Sequence, residues 1–172
     1  TSVSNSSYPD GKGGTYQAKT VTLLSTDGQT YRYQTTSSVK EGALVRAAVD
    51  DQGKVTLKGL TSASLTGKVN AAGTKLGSHP FAEGAEILDV SDGQGARIYP
   101  SRLAGLELTD SMVKYHSLNG SGEIETLVLN DVTGDAYRYG ILTRMESTSA
   151  GEFSSYYSYE LDVGGQQISL PQ

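Results

Sequence analysis

No stretch of this chain keeps its apolar residues at helical spacing over several turns. From Tyr16 onward the pattern is instead a series of short alternating runs: QAKTVTLL, QTYRYQT, ALVRAAV, KVTLKGL, AEILDV, SMVKYHSL, EIETLVL and AYRYGILTRM. A period of two in β-branched and aromatic residues is the mark of a half-buried strand. Between the runs lie DG, DDQG, DG and NGSG, whose residues accept positive backbone φ and so suit hairpin turns. At most SSVKEG and PSRLAG wind into a single helical turn. The expected fold is all-β, with mostly antiparallel strands joined by hairpins.

An internal repeat organises these runs. STDGQTYRY (Ser25 to Tyr33) parallels VSDGQGARIY (Val90 to Tyr99), and ALVRAAVDDQGKVTL (Ala43 to Leu57) parallels SMVKYHSLNGSGEIETL (Ser111 to Leu127). Val45 lies over Val113, Arg46 over Lys114, Gly53 over Gly122 and Val55 over Ile124. The order of elements repeats too, which predicts two small similar barrel-like or sandwich-like units in series. The expected division is a flexible lead-in over 1–15, a first β unit over 16–70 and a second over 71–135. Residues 136–172 then close one unit or begin a third copy, with Tyr139 to Met145 matching Tyr16 to Leu23. Alternation turns Val45, Ala47, Val49, Val55 and Leu57 inward in the first unit, and Val113, Tyr115, Ile124 and Val128 in the second. Arg46, Lys114 and His116 then face outward. In the second DGQ turn, Asp92 is expected to supply a local hydrogen bond, Gly93 backbone freedom and Gly95 a bulge.

Composition narrows the chemistry. A net charge of −5, with Lys and Arg scattered singly, is wrong for a polyanion partner, so no nucleic acid is expected. No apolar run is long enough to insert in a membrane as a helix. The chain opens without a basic-then-apolar leader, so an export signal is expected to lie outside this stretch or to have been removed. There is no Cys, hence no disulfide, thiolate metal site or cysteine nucleophile. No cofactor is expected.

Individual residues offer little catalysis. His79 sits beside Pro80 in a loop and His116 on an outward strand face, and neither is accompanied by a nucleophile signature. Asp89, Asp92, Asp131 and Asp135 supply oxygens a calcium ion would need, but without the alternating acids and distal Glu of an EF-hand loop. As turn residues bonding their own backbone they are already explained. The GQG of SDGQGARIY lacks the third Gly and the following helix of a dinucleotide loop. The strongest compositional bias is eleven Tyr against no Trp. Tyr offers a flat apolar face and a hydroxyl, so Tyr156, Tyr157 and Tyr159 in YYSY form the candidate binding surface.

Taken together, STDGQTYRY, EGALVRAAVDDQGKV, AEILDVS, SMVKY and GEIETLVLNDVTGD resemble the β-rich repeat regions of S-layer homology domain-containing cell-surface proteins of clostridia-like Gram-positive bacteria. The resemblance covers most of Tyr16 to Met145 and involves phrase and order rather than a catalytic motif. It implies an extracellular module at the cell wall, with other envelope proteins or wall glycan as partners. The helical S-layer homology modules themselves are not in this chain, so anchoring would reside elsewhere in such a protein. The expected function is a non-enzymatic structural, spacer or interaction module. The alternative is a carbohydrate- or peptide-binding β module using an exposed Tyr-rich face.

Overall fold

A computed structural model describes residues 2–9, 12–51, 55–137, 139–149 and 155–171. The fold is all-β, assembled from several mainly antiparallel sheets, one of them curled into a half-barrel. It divides into two compact units, Thr1–Ala136 and Tyr137–Gln172.

The first unit begins with a meander of β1 (Ser2–Pro9), β2 (Thr15–Leu24) and β3 (Thr30–Thr35), followed by a hairpin of β4 (Val45–Val49) and β5 (Val55–Gly59). Residues 2–9 are thus a strand paired to β2 along its whole length, not the flexible lead-in expected from their Ser-rich composition. Backbone hydrogen bonding to a strand that is itself anchored in a core does not require apolar side chains. Val21 and Leu23 of β2 pack on Val55 and Leu57 of β5, with Val3, Tyr33, Val39 and Val45 around them. Side chains strap the layers together: Thr35 donates its hydroxyl to the Val55 carbonyl (3.0 Å), and the Leu57 amide donates to Ser37 Oγ (3.1 Å). The inward placement of Ala47 and Val49 does not hold. Both are exposed, Val49 at 56%, because β4 is the outer strand of a two-stranded ribbon and only its first residue reaches the core.

A second core lies further along the same unit. Its strands are β6 (Gly67–Lys68), β7 (Lys75–Leu76), β8 (His79–Ser91), β9 (Gln94–Ile98), β10 (Glu107–Leu108), β11 (Val113–Leu118) and β12 (Ile124–Asn130). Strand β8 is central: β9 pairs antiparallel on one edge and β12 parallel on the other, with β11 beyond β12. Burial of both faces explains the apolar run Leu127, Val128, Leu129 in β12, all nearly inaccessible. Leu127 and Leu129 join Val69, Leu76, Ile87, Ile98, Leu103, Leu108, Val113 and Ile124 in one core cluster, and Val128 lies outside it, opposite Tyr115. Val69 packs in this second core with Leu76 and Ile87, so the expected boundary at residue 70 cuts through one packed cluster.

The repeated hairpins are present, but their turns differ. Asp92 (φ 46°) and Gly93 (φ 77°) form a two-residue turn with both φ positive, the type I′ geometry that matches strand twist. The first copy closes instead with Ser25 C=O accepting from the Gly28 amide (2.9 Å) and Gly28 at φ 79°, a longer turn ending in a glycine bulge. It is Asp27, not Asp92, whose carboxylate is seen bonding locally, accepting from the Gln29 amide at 2.8 Å and the Tyr31 hydroxyl at 2.6 Å. Gly95 forms no bulge, since β8 and β9 pair without a register shift. A side chain there would collide with Leu24: an added Cβ would lie 2.5 Å from Leu24 Cδ2 and 3.2 Å from the Asp89 carbonyl oxygen. The first turn therefore rests on β9, and Thr26 Oγ1 donates across to Glu86 Oε2 at 2.5 Å.

The Tyr137–Gln172 unit is a meander of β13 (Ile141–Ser149), β14 (Ser155–Val163) and β15 (Gln166–Pro171), the last hairpin turning on Gly164 and Gly165 at φ 62° and 85°. Leu142 lies opposite Leu161, Met145 opposite Tyr159, Tyr159 opposite Leu170, and Leu161 opposite Ile168. Directly opposed residues share a face, so one face collects the apolar side chains. The other carries Arg144, Glu146, Ser158, Glu160, Asp162 and Gln167, with Ile141 as an apolar exception.

Replacing Gly95 by Val should destabilise the Thr1–Ala136 unit by about 1–3 kcal/mol, the usual range for overpacking. Gly120→Ala, at an open position, should change stability by less than about 0.5 kcal/mol. Urea unfolding followed by tyrosine fluorescence checks both.

Candidate functional site

A shallow open cleft of about 450 Å³ lies where β9 runs into a 3-10 turn at Pro100–Leu103. Arg97, Ile98, Tyr99, Ser101, Arg102 and Asp135 line it. Tyr99 follows the last residue of β9 in an extended conformation (φ −108°, ψ 155°), so Arg97 and Tyr99, two apart, lie on the same side of the chain. The Arg97 guanidinium carbon stands 5.8 Å from the centre of the Tyr99 ring, which is 65% exposed. Pro100 sets the backbone for the turn. Gly73 lets that turn sit close: a Cβ there would come within 2.8 Å of Ser101 Cα.

The far wall is organised by Asp89. This residue is fully buried in β8, yet its carboxylate accepts from the amides of Val132 (3.0 Å) and Thr133 (2.7 Å) and from Thr133 Oγ1 (2.7 Å). Three donors offset the cost of burying the carboxylate. Thr133 Oγ1 accepts in turn from the Asp135 amide at 3.2 Å. Asp135 holds Arg102 in a fork, Nε to Oδ2 at 2.9 Å and Nη2 to Oδ1 at 3.1 Å, while Nη2 also donates to the Thr133 carbonyl. The phrase NDVTGD thus encodes a loop clamp running from a core strand to the surface.

The electrostatics favour charge-holding over proton transfer. Hydrogen bonding to Arg102 keeps the Asp135 carboxyl below its ordinary value of 3.8, and the same pair raises the Arg102 guanidinium. A general acid needs the opposite shift. Asp27 is likewise lowered, chiefly by the Tyr31 hydroxyl, and the Tyr31 phenol is raised by the same bond.

The sequence candidates are dispersed. Asp89 and Asp135 meet at the clamp, Asp131 sits in the same loop at φ 53°, and Asp92 lies in the β8–β9 turn. Among the described residues no group of three or more His, Asp or Glu converges as metal ligands would. His79 and His116 are half-buried and tied to backbone, with His79 Nδ1 donating to the Gly122 carbonyl (3.0 Å) and His116 Nδ1 to the Ala63 carbonyl (2.9 Å). His116 is therefore a cross-link between segments rather than a free outward imidazole. Tyr157, 40% exposed, and half-buried Tyr159 occupy the apolar face of β14, and the side chain of Tyr156 lies outside the described residues. Tyr31 and Tyr33 stack at 6.2 Å with their planes 9° apart. Sequence reading passes over the Arg97–Tyr99 pair, whose only signal is its spacing of two beside a Pro. No helix among the described residues is long and apolar enough to cross a membrane. Comparison with known proteins finds no matching family model, curated protein or solved structure.

Asp89→Ala should cost about 3 kcal/mol by leaving buried amides unpaired, with Asp89→Asn costing less; chemical denaturation measures the difference. For Asp135, a carboxyl lowered in the folded state, the paired contribution is present above its ordinary value and lost as pH falls through the lowered one. Arg102→Gln should therefore move the Asp135 titration upward toward 3.8, read by carboxyl NMR.

Proposed function

We propose that this chain is a non-enzymatic β module of a bacterial cell-surface protein, acting as a spacer or interaction element. One observation carries the reading: a hairpin pair occurs twice in series, and each copy closes on its own core. Such an array separates what lies at its two ends by geometry alone. The polar groups that sequence reading picks out support the same view, because they hold loops and strands together. Asp89 clamps the 131–135 loop, Asp135 anchors Arg102, and the two His residues bond backbone carbonyls. Placement at a Gram-positive cell wall rests on the likeness in phrase to S-layer homology domain-containing proteins.

A second reading is favoured by the cleft beside Tyr99. An exposed aromatic face next to a guanidinium is the chemistry that stacks a sugar ring and bonds its hydroxyls or an acidic substituent. On this reading the module holds wall glycan weakly while it spaces.

Incubation with purified Gram-positive cell walls should release neither reducing sugar nor free amine, and catalysed release of either would overturn the non-enzymatic reading. Retention on immobilised wall polysaccharide tests the second reading. Tyr99→Ala should weaken retention about tenfold, the loss of one stacked ring, whereas Tyr31→Ala should leave it unchanged. Equal retention by both variants would remove the cleft from the account.

A further inference from the structure

The two cores of the Thr1–Ala136 unit are joined at two separate places. The first is the Ser25–Gln29 turn. A hairpin tip ordinarily projects into solvent, as Asp92, Gly93 and Gln94 do in the second copy. In the first copy Leu24 to Gly28 are all half-buried, because the turn is seated on β8 and β9. Leu24 fills the space that Gly95 leaves, and Thr26 Oγ1 donates to Glu86 Oε2 at 2.5 Å. Gly28 approaches so closely that a Cβ there would lie 3.0 Å from the Arg97 amide nitrogen. Glu86, Leu88 and Val90 alternate with Ile87 of the second core, and Gly95 and Arg97 stand opposite Val90 and Leu88. The turn thus lies on the face of the sheet directed away from that core. Leu88, on this face, is buried although it is outside the core cluster.

The second junction is the connection at 60–66. Its start is held beside β4, where the Leu60 amide donates to the Leu44 carbonyl (2.9 Å). Its middle is held to β11: the Ala63 amide donates to the Lys114 carbonyl (3.3 Å), and the Ala63 carbonyl accepts from His116 Nδ1 (2.9 Å). Ser64 Oγ donates to Asp110 Oδ1 at 2.8 Å, and Leu65 packs on the second core. Only Thr61 and Ser62 lie between the two anchorages.

We propose that these junctions make the Thr1–Ala136 unit a single stiff strut, whose cores neither swing on one another nor unfold separately. One contact between two bodies leaves a hinge, and a second contact at a distance removes it. The strands of the sheet run β9-β8-β12-β11, so the turn and the connection hold its opposite ends. Three strand spacings separate them, about 14 Å at roughly 4.8 Å each. Rocking has to unseat Leu24 and Thr26 on one side or strip His116 from Ala63 on the other. The inference rests on the spacer reading and deepens it. A spacer sets a distance only where its joint does not bend, whereas cores strung on a slack linker move independently.

Spin labels test the stiffness. The chain has no Cys, and Lys58→Cys on β5 with Lys75→Cys on β7 places one label on each core at exposed positions. Their distance distribution, read by pulsed electron spin resonance, should be single and narrow. Leu24→Ala, Thr26→Ala and His116→Ala together remove both junctions without touching either core cluster, and should broaden it. Hydrogen exchange tests the cooperativity. Leu57→Val, a mild change in the first core, should speed exchange in β5 and in β12 by the same factor, about fivefold. In the triple variant the same change should reach β5 alone. A broad distribution in the otherwise unaltered chain overturns the proposal, as does one that the triple variant leaves unchanged. So does exchange that Leu57→Val accelerates only in β5 while both junctions are intact. Catalysed release from cell walls would instead overturn the functional reading and leave the strut standing, so the two failures are distinguishable.

Discussion

The parallel pairing of β12 with β8 is the contact on which most of the Thr1–Ala136 unit depends. It brings the end of one hairpin beside the start of another more than thirty residues away. By covering both edges of β8, it turns that strand into the centre of a sheet. Within that sheet β12 buries three consecutive apolar residues, with Leu127 and Leu129 in the core cluster and Val128 outside it. The same pairing delivers the loop after β12 to Asp89, and Asp89 holds it through both of its oxygens. The cleft wall, the Arg102 fork and the seat of Tyr99 are downstream of that one alignment.

The two copies of the repeat use their hairpins differently. In the second copy the later hairpin joins the sheet of the earlier one along a strand edge. In the first copy β1 already occupies the free edge of β2, so the later hairpin packs over the face instead. An edge has hydrogen-bonding capacity for one neighbour, and whichever strand takes it pushes the other into the second layer. The meander of β13–β15 has both edges of its central strand filled in the manner of β1–β3, and its own unit contributes no second sheet among the described residues.

Much of the fold was legible in the sequence because its signals are local. Alternation reports a strand without knowledge of its partner, and Asp-Gly or Gly-Gly reports a turn because φ is a property of single residues. Val55, Leu57, Val113 and Ile124 accordingly pack where alternation places them. Tyr115 and Val128 do not: they pair with each other outside that cluster, because register shifts at Val113/Tyr115 and Ile124/Thr126 break the alternation that put them beside Val113 and Ile124. Nor do Ala47 and Val49, since alternation says which residues share a face but not whether anything lies over it. Residues 2–9 were misread for the complementary reason: composition reports apolar content, whereas a strand can be held by backbone bonds to a neighbour. The candidate site was less legible still. Asp89, Thr133, Asp135 and Arg102 are spread over forty-odd positions, and only folding makes them one cluster.

Gly95 marks the division most clearly. The sequence by itself determined that SDGQGARIY would be a turn, that it would recur, and that the chain would be all-β, because turn chemistry and side-chain period act within a few residues. Only the tertiary structure decided that Gly95 leaves room for Leu24 and that Asp89 is a buried clamp. Those facts depend on which distant surfaces meet, and close packing between distant surfaces leaves no mark in the spacing of neighbouring residues.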